Sequence, residues 1–226
     1  MSNDFASQRQ TMVDCQIRTF DVTDQEVISR FLDVPRETFV PGPMQALAYS
    51  DAPLDLHTIE GETRCLLAPM VLARMIQGAE VRASDRVLDI AGGAGYSAAL
   101  LAGLAGEVVA LESIPSLSFA AAAHLAGLGL PATAVCGPLD ASEGVTGTFD
   151  LILVNGAVEE GLEPLLARLS LGGRIIAILR SPGDPTGKAG KAMRFESVAG
   201  ELSSRVLFDA AAPVLGAFAR TPVFAF

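Results

Sequence analysis

Two carboxylates flank a glycine-rich turn in this chain. Asp89 lies in the apolar run Val87-Leu-Asp-Ile90, the turn Ala91-Gly-Gly-Ala-Gly95 follows, and Glu112 closes a second apolar run, Val108-Val-Ala-Leu111. A strand, a tight turn, a helix and a second strand ending in an acid describe a βαβ nucleotide-binding unit. Gly93-Ala-Gly-Tyr-Ser-Ala98 satisfies the dinucleotide fingerprint with its permitted terminal alanine, and Glu112 could hold a ribose hydroxyl. Asp89 weighs against a dinucleotide, whose phosphates would sit at the turn and helix N-terminus, where a strand-end carboxylate repels them. S-adenosylmethionine carries no phosphate. It brings an ammonium and a sulfonium, which an acid attracts, and its ribose still needs the acceptor that Glu112 supplies. That cofactor is favoured over a dinucleotide and over a cofactor-free domain whose glycines only shape turns.

Other reactive residues do not cluster. Cys15, Cys65 and Cys136 lack the paired spacing of a zinc site and form no disulfide framework, so they read as reduced structural thiols. His124 falls in an alanine- and leucine-rich helical stretch and reads as a packing residue, whereas His57 lies on the presumed active-site side of the chain. No metal and no catalytic acid, base or nucleophile is expected.

These residues need a scaffold, and composition bounds it. The chain has 226 residues, 50% hydrophobic and 19% charged, which suits a globular protein with a substantial core. A net charge of −10 argues against a nucleic-acid partner. Apolar runs are too short for a membrane span, and the N-terminus lacks a secretory pattern, so a cytoplasmic location is expected. The oligomeric state is open.

From residue 86 onward the pattern alternates. Strands are expected at about 86–90, 107–112, 132–136, 149–154 and 174–179, with helices at about 95–105, 116–128 and 161–170 between them. Short apolar strands separated by helices imply a mostly parallel, doubly wound sheet. After the turn-rich Ser181–Gly190, Met193–Val198 and Ser204–Phe208 suit an antiparallel edge hairpin, and Pro222–Phe226 is apolar enough to dock. Upstream, Gln8–Ile17, Asp24–Leu32 and Val71–Gln77 read as helices, the second with a Thr23/Glu26 capping box. Prolines keep Val34–Pro41 extended. The expected organisation is a single domain over 1–226, with a helical and substrate-loop region (1–82) serving as a lid on an α/β cofactor-binding core (83–226).

The order and wording of Val34-Pro-Arg-Glu-Thr-Phe-Val-Pro41, Leu47-Ala-Tyr-Ser-Asp-Ala-Pro-Leu54, Pro69-Met-Val-Leu-Ala-Arg-Met75 and Val87–Tyr96 resemble the protein-L-isoaspartate O-methyltransferases. The similarity runs on through Phe149–Ala157, Pro164-Leu-Leu166 and Gly172-Gly-Arg174. The resemblance implies a seven-stranded, Rossmann-like class I methyltransferase fold. It also implies S-adenosylmethionine as cofactor and, as partners, proteins or peptides bearing the carboxylate exposed by isoaspartyl damage. Carried over by position, Asp89, Ala91, Gly93, Gly95 and Tyr96 would line the methionine end. Glu112 and Ser113 would meet the ribose, Gly137, Pro138 and Leu139 the adenine, and Asn155-Gly-Ala157 the floor by the methyl group. Cys65, Leu66, Leu67, Ala68 and Pro69 would bind substrate, and Asp209–Gly216 lies where end strands approach the site.

Four departures from the family pattern are visible. Leu67-Ala-Pro69 replaces the usual Ser-x-Pro, and leucine donates no hydrogen bond. The segment Pro53–Pro69 is longer by about four residues on a rough alignment. Ala91 stands for the first glycine, a mild change where φ is negative. Pro138 replaces the acid expected at the adenine amine.

Overall fold

The computed structural model describes residues 4–59, 62–141, 143–180, 189–198 and 201–220. Among the described residues, nine strands form a two-stranded and a seven-stranded sheet. β1 (Leu54–Ile59) and β2 (Glu62–Leu66) make an antiparallel hairpin that stands apart from the main sheet. The main sheet contains β3 (Arg86–Ile90), β4 (Glu107–Glu112), β5 (Ala132–Cys136), β6 (Phe149–Val158), β7 (Leu169–Arg180), β8 (Ala189–Val198) and β9 (Glu201–Ala211), in the order β5-β4-β3-β6-β7-β8-β9. Strands β3 to β7 run parallel, and β8 and β9 return antiparallel at one edge.

The two-residue period of a strand sends successive side chains to opposite faces. Val87, Val108, Leu151 and Ile176 join one core with the N-terminal segment, while Leu88, Val109, Ile152 and Ile175 join the core beneath Leu165 and Phe218. Both faces are apolar, so the central strands show as nearly unbroken hydrophobic runs. β3, β4 and β5 occupy the residues expected, whereas β6, β7, β8 and β9 extend past their expected ends.

The helices are α1 (Phe5–Met12), α2 (Gln25–Asp33), α3 (Pro69–Ala79), α4 (Tyr96–Leu101), α5 (Pro115–Gly127) and α6 (Glu163–Leu166). None of the described helices is long and apolar enough to cross a membrane. After α1 the chain widens into a π turn at Val13–Ile17 before ending in a 3₁₀ turn. α2 is capped by Asp24, whose carboxylate accepts from the Glu26 and Val27 amides. The expected Thr23 cap is displaced because the Thr23 and Asp24 amides both donate to Gln77 Oε1. The stretch Val34–Pro41 is not extended throughout. Arg36–Phe39 forms a 3₁₀ turn between the two prolines, held by Arg36, which donates to the carbonyls of Ala48 and Leu67. The expected helix at 161–170 shrinks to α6 because the Phe149 amide takes the Arg168 carbonyl and β7 begins at Leu169.

Arginines from distant elements supplement the backbone C-caps of two helices. Arg30 donates to the carbonyls of Ala99 and Leu100 in the last turn of α4, which ends four residues before the expected end and is closed by the Ala102 amide. At the end of α3, Arg174 reaches the carbonyls of Ala79, Glu80 and Asp150 and the carboxylate of Asp85 at 2.7 Å, and Arg194 takes the Gly78 carbonyl. The Gly78, Ala79 and Glu80 carbonyls lie at the helix end without intrahelical donors, so the guanidinium groups satisfy them and, through the Asp150 carbonyl of β6, pin α3 to the sheet. Arg174→Ala leaves Asp85 buried without its cation. The expected loss is about 3–5 kcal/mol of unfolding free energy, read by urea denaturation; a change below about 1 kcal/mol would remove this role.

Candidate functional site

The carboxyl ends of β3, β4 and β6 meet at one edge of the sheet, as the topology of an open α/β sheet requires of a ligand crevice. Asp89 is fully buried on β3. Its Oδ2 accepts from Ser97 Oγ at 2.6 Å, and its Oδ1 accepts from Asn155 Nδ2 at 2.7 Å. Asn155 also donates to the Ile90 carbonyl, so the β6 side chain locks onto β3. Burial raises the Asp89 pKa to about 6 against the pull of Ser97 and Asn155, with Glu112 adding to the rise.

The turn after β3 is tight. Gly93 has φ +60° and Gly95 φ +98°. A Cβ on Gly95 would lie 3.1 Å from Ala121 Cβ, so glycine here serves both the left-handed turn and the approach of α5. Ala91 corrects an expectation. It has φ +57°, not a negative value, and its N–H donates a hydrogen bond to the Leu111 carbonyl at the end of β4. A left-handed alanine is strained by roughly 1–2 kcal/mol.

Glu112, buried at the end of β4, uses both carboxylate oxygens. Oε1 accepts from Arg64 Nε at 2.9 Å and from the Ile114 amide at 3.1 Å, and Oε2 accepts from the Gly93 amide at 3.2 Å. Arg64, from β2, is fully buried. It also donates to Ser113 Oγ at 2.7 Å and to Glu62. Leu56 of β1 covers the turn itself, with its Cδ1 2.5 Å from the place of a Cβ on Gly93.

The other expected site residues divide. Gly137 is tied to β4 through its amide and the Glu112 carbonyl; Pro138 is exposed and Leu139 is buried in the core. Cys65, Leu66 and Leu67 are buried and border a cavity of about 10 Å³ that also touches Gly92, Ser97 and Asn155. That volume holds no more than one water. Burial and Asp55 raise the Cys65 thiol pKa to about 12. Ala68 caps the start of α3 and Pro69 is its first residue. Tyr96 borders the cavity, but its ring is largely claimed by the N-terminal cover, 4.9 Å from the Arg36 guanidinium and stacked edge-on against Phe31. His124 packs as expected, against Phe39 and the Ala94 carbonyl. Cys15, Cys65 and Cys136 are free thiols. In Asp209–Gly216, Leu215 packs on Gly156, and Ala157 bonds to Pro213 and Leu215. The His57 side chain, most of Ser181–Gly190, and Pro222–Phe226 lie outside the described residues.

Sequence reasoning missed Arg36, Arg64 and the hairpin. In kind, the residues carried over from the sequence suit S-adenosylmethionine: two strand-end acids and a glycine turn. In space they do not, while β1 and β2 lie as described. Glu112 Oε1 already accepts two hydrogen bonds, Ser113 is engaged by the same arginine, and Leu56 covers Gly93.

Two consequences can be measured. Asp89 keeps its proton to about pH 6 when folded, whereas an unfolded aspartate releases it near 3.8. The folded state therefore binds more protons in that window, and this contribution lowers stability as pH rises from about 4 to 6, by up to ~3 kcal/mol. The stability difference between Asp89→Asn and the wild type should grow in the variant's favour across that window; a flat difference would show an ordinary aspartate. Ala91→Gly, by relieving the left-handed alanine, should raise unfolding free energy by about 1 kcal/mol. A loss on substitution would place the strain elsewhere.

The family model for protein-L-isoaspartate(D-aspartate) O-methyltransferase (PCMT) matches residues 7–197. A protein-L-isoaspartate O-methyltransferase of Methanoculleus marisnigri is 37% identical over 175 residues, spanning 75% of this chain and 76% of that protein. One from Rhodopseudomonas palustris is 38% identical over 174 residues, 76% of this chain and 69% of that protein. A solved protein-L-isoaspartate O-methyltransferase superposes with a TM-score of 0.77 at 24% identity, over 92% of this chain and 66% of its own. A putative Plasmodium falciparum counterpart in complex with S-adenosyl-L-homocysteine gives 0.72 at 18% identity, over 96% of this chain and 100% of its own. These two structures bear on the fold, a class I S-adenosylmethionine-dependent methyltransferase fold with an N-terminal helical region. By the extent of the family match and the identity to its relatives, this chain belongs to the protein-L-isoaspartate O-methyltransferase family.

Proposed function

We propose that this chain transfers the methyl group of S-adenosylmethionine to the free carboxylate of isoaspartyl residues in damaged proteins or peptides. The observation that carries this reading is the pairing of Asp89 and Glu112 about a glycine turn, within a family match that covers most of the chain. In this reading Asp89, Ala91, Gly93, Gly95, Tyr96 and Asn155 serve the methionine end, Glu112 and Ser113 the ribose, and Gly137–Leu139 the adenine. Cys65–Pro69 lie toward the acceptor.

When bound, the cofactor supplies a methyl carbon already activated by its sulfonium. What remains for the protein is charge, orientation and exclusion of water. An Asp89 pKa of about 6 leaves that group roughly nine-tenths ionised at pH 7, so it can meet an ammonium. Ser97 and Asn155 fix both of its oxygens. The acceptor carboxylate, with an ordinary pKa of about 4, is ionised at neutral pH and needs no general base. Orientation alone can contribute about 7–11 kcal/mol to such a barrier. Burial of the Cys65–Leu67 strand end keeps water from that side.

Leu67 favours a second reading, methyl transfer to another carboxylate, since leucine offers an acceptor no hydrogen bond. Purified protein incubated with methyl-labelled S-adenosylmethionine and a matched pair of isoaspartyl and aspartyl peptides separates the two. Base-labile label on the isoaspartyl peptide alone is expected. Label on a general peptide mixture but not on the isoaspartyl peptide would favour the second reading, and no label on any peptide would end both. Leu67→Ser should raise kcat/KM for the isoaspartyl peptide about tenfold, the worth of one hydrogen bond to a charged group; a fall would show that this loop does not meet the acceptor.

A further inference from the structure

Arg64 occupies an unusual position for a strand residue in a hairpin. It is fully buried, and its partners Glu112 and Ser113 are the two residues assigned above to the cofactor's ribose. A ribose diol binds a carboxylate by donating to its oxygens. A guanidinium donates to the same oxygens in a charge-assisted bond, which is stronger. Glu112 Oε1 already accepts from Arg64 and from the Ile114 amide, which uses both of its lone-pair directions. Arg64 and a ribose are therefore rival partners of one acid.

The hairpin that carries Arg64 is separable from the main sheet. β1 pairs with β2, and neither strand pairs with the seven-stranded sheet. A lone two-stranded hairpin is marginal in water, so its seat depends on what its side chains touch. Those contacts converge on the candidate site: Arg64 on Glu112 and Ser113, Leu56 on Gly93, and Cys65 and Leu66 beside Ser97 and Asn155.

We propose that Arg64 is an internal occupant of the ribose position, and that S-adenosylmethionine binds only after β2 lifts Arg64 away from Glu112. This rests on the cofactor assignment above. The closed form satisfies Glu112 with the chain's own cation, and the open form offers it to the cofactor. Apparent affinity is then the intrinsic affinity scaled by the open fraction; a hairpin closed 99 parts in 100 weakens binding about 100-fold.

The test couples two readouts on the full chain. S-adenosylhomocysteine is titrated calorimetrically into wild type and Arg64→Ala, while alkylation of Cys65 is followed by peptide-resolved mass spectrometry, with and without that ligand. Cys65 is buried on β2 next to Arg64, so its labelling reports lifting of the strand. Arg64→Ala is expected to bind at least tenfold more tightly and to label at Cys65 at least tenfold faster. In the wild type, S-adenosylhomocysteine should itself accelerate Cys65 labelling. Because Arg64→Ala strands the Glu112 charge, Leu56→Ala serves as a second variant that keeps the ion pair and uncovers Gly93, with changes of about threefold in the same directions. Equal affinity in all three proteins, or tight binding to the wild type with Cys65 still protected, overturns the proposal. Faster Cys65 labelling in the variants with no binding by any form would uphold the closed hairpin and end the methyl-transfer reading instead.

Discussion

A buried carboxylate at the end of β4 sets the terms for everything near it. Glu112 is 2% exposed and cannot be left without donors, because an unpaired buried charge costs several kcal/mol. Three donors answer it: the Gly93 amide, the Ile114 amide and Arg64. The first holds the turn after β3 in its left-handed path, the second directs the chain into α5, and the third draws the hairpin over the sheet edge. One side chain thus couples the glycine turn, a helix start and a strand from the N-terminal region. Asp89 does the same on a smaller scale, joining α4 through Ser97 and β6 through Asn155.

The N-terminal region is attached by a parallel device. Arg30, Arg36, Arg174 and Arg194 each direct a guanidinium at backbone carbonyls. Five donors in a flat fork suit that task better than a lysine ammonium, since one side chain can serve two carbonyls from different elements. Arg36 joins the Ala48 and Leu67 carbonyls, so the segment before the hairpin and the loop after it are held at one point, and Tyr96 of α4 packs against the same guanidinium. The candidate substrate loop is consequently fixed at Leu67, while the hairpin ahead of it depends on side-chain contacts with the site.

What was legible in the sequence follows from which forces are local. β3 and β4 are readable to the residue because a strand packed on both faces leaves an uninterrupted apolar run, ended by a turn or an acid, and the edge strand β5 is readable from a short apolar run between Pro131 and Gly137. Helix ends are less so, since Arg30 takes the last carbonyls of α4 and Gln77 the amides just ahead of α2 from far along the chain, and no window around α4 or α2 contains them. The two acids and the turn were legible by chemical type and by resemblance to a family. The hairpin was missed because Asp55, His57, Glu62 and Arg64 make its strands look like a solvated loop. Arg64 in particular has no local signature: its burial is decided by Glu112, 48 residues later. A faint signal existed in the length of Pro53–Pro69, which has room for a hairpin that a plain loop would not need.

The Arg64–Glu112 pair is poorly explained as a stabilising feature. Taking both charges out of water offsets most of their attraction, and a well-packed apolar pair of similar volume would hold the hairpin as well or better. Glu112 must therefore be accounted for first, and its position at the strand end beside a glycine turn accounts for it as a ligand acceptor. Arg64 then follows as the cation that makes this acid tolerable when the hairpin is seated. On that logic the two residues form a linked design: replacing Glu112 alone would leave the buried guanidinium only the half-exposed Glu62 as counter-charge, and replacing Arg64 alone would leave the buried carboxylate only the Gly93 and Ile114 amides. Its place on β2, just ahead of the loop that Arg36 holds at Leu67, is what brings this cation to that acid.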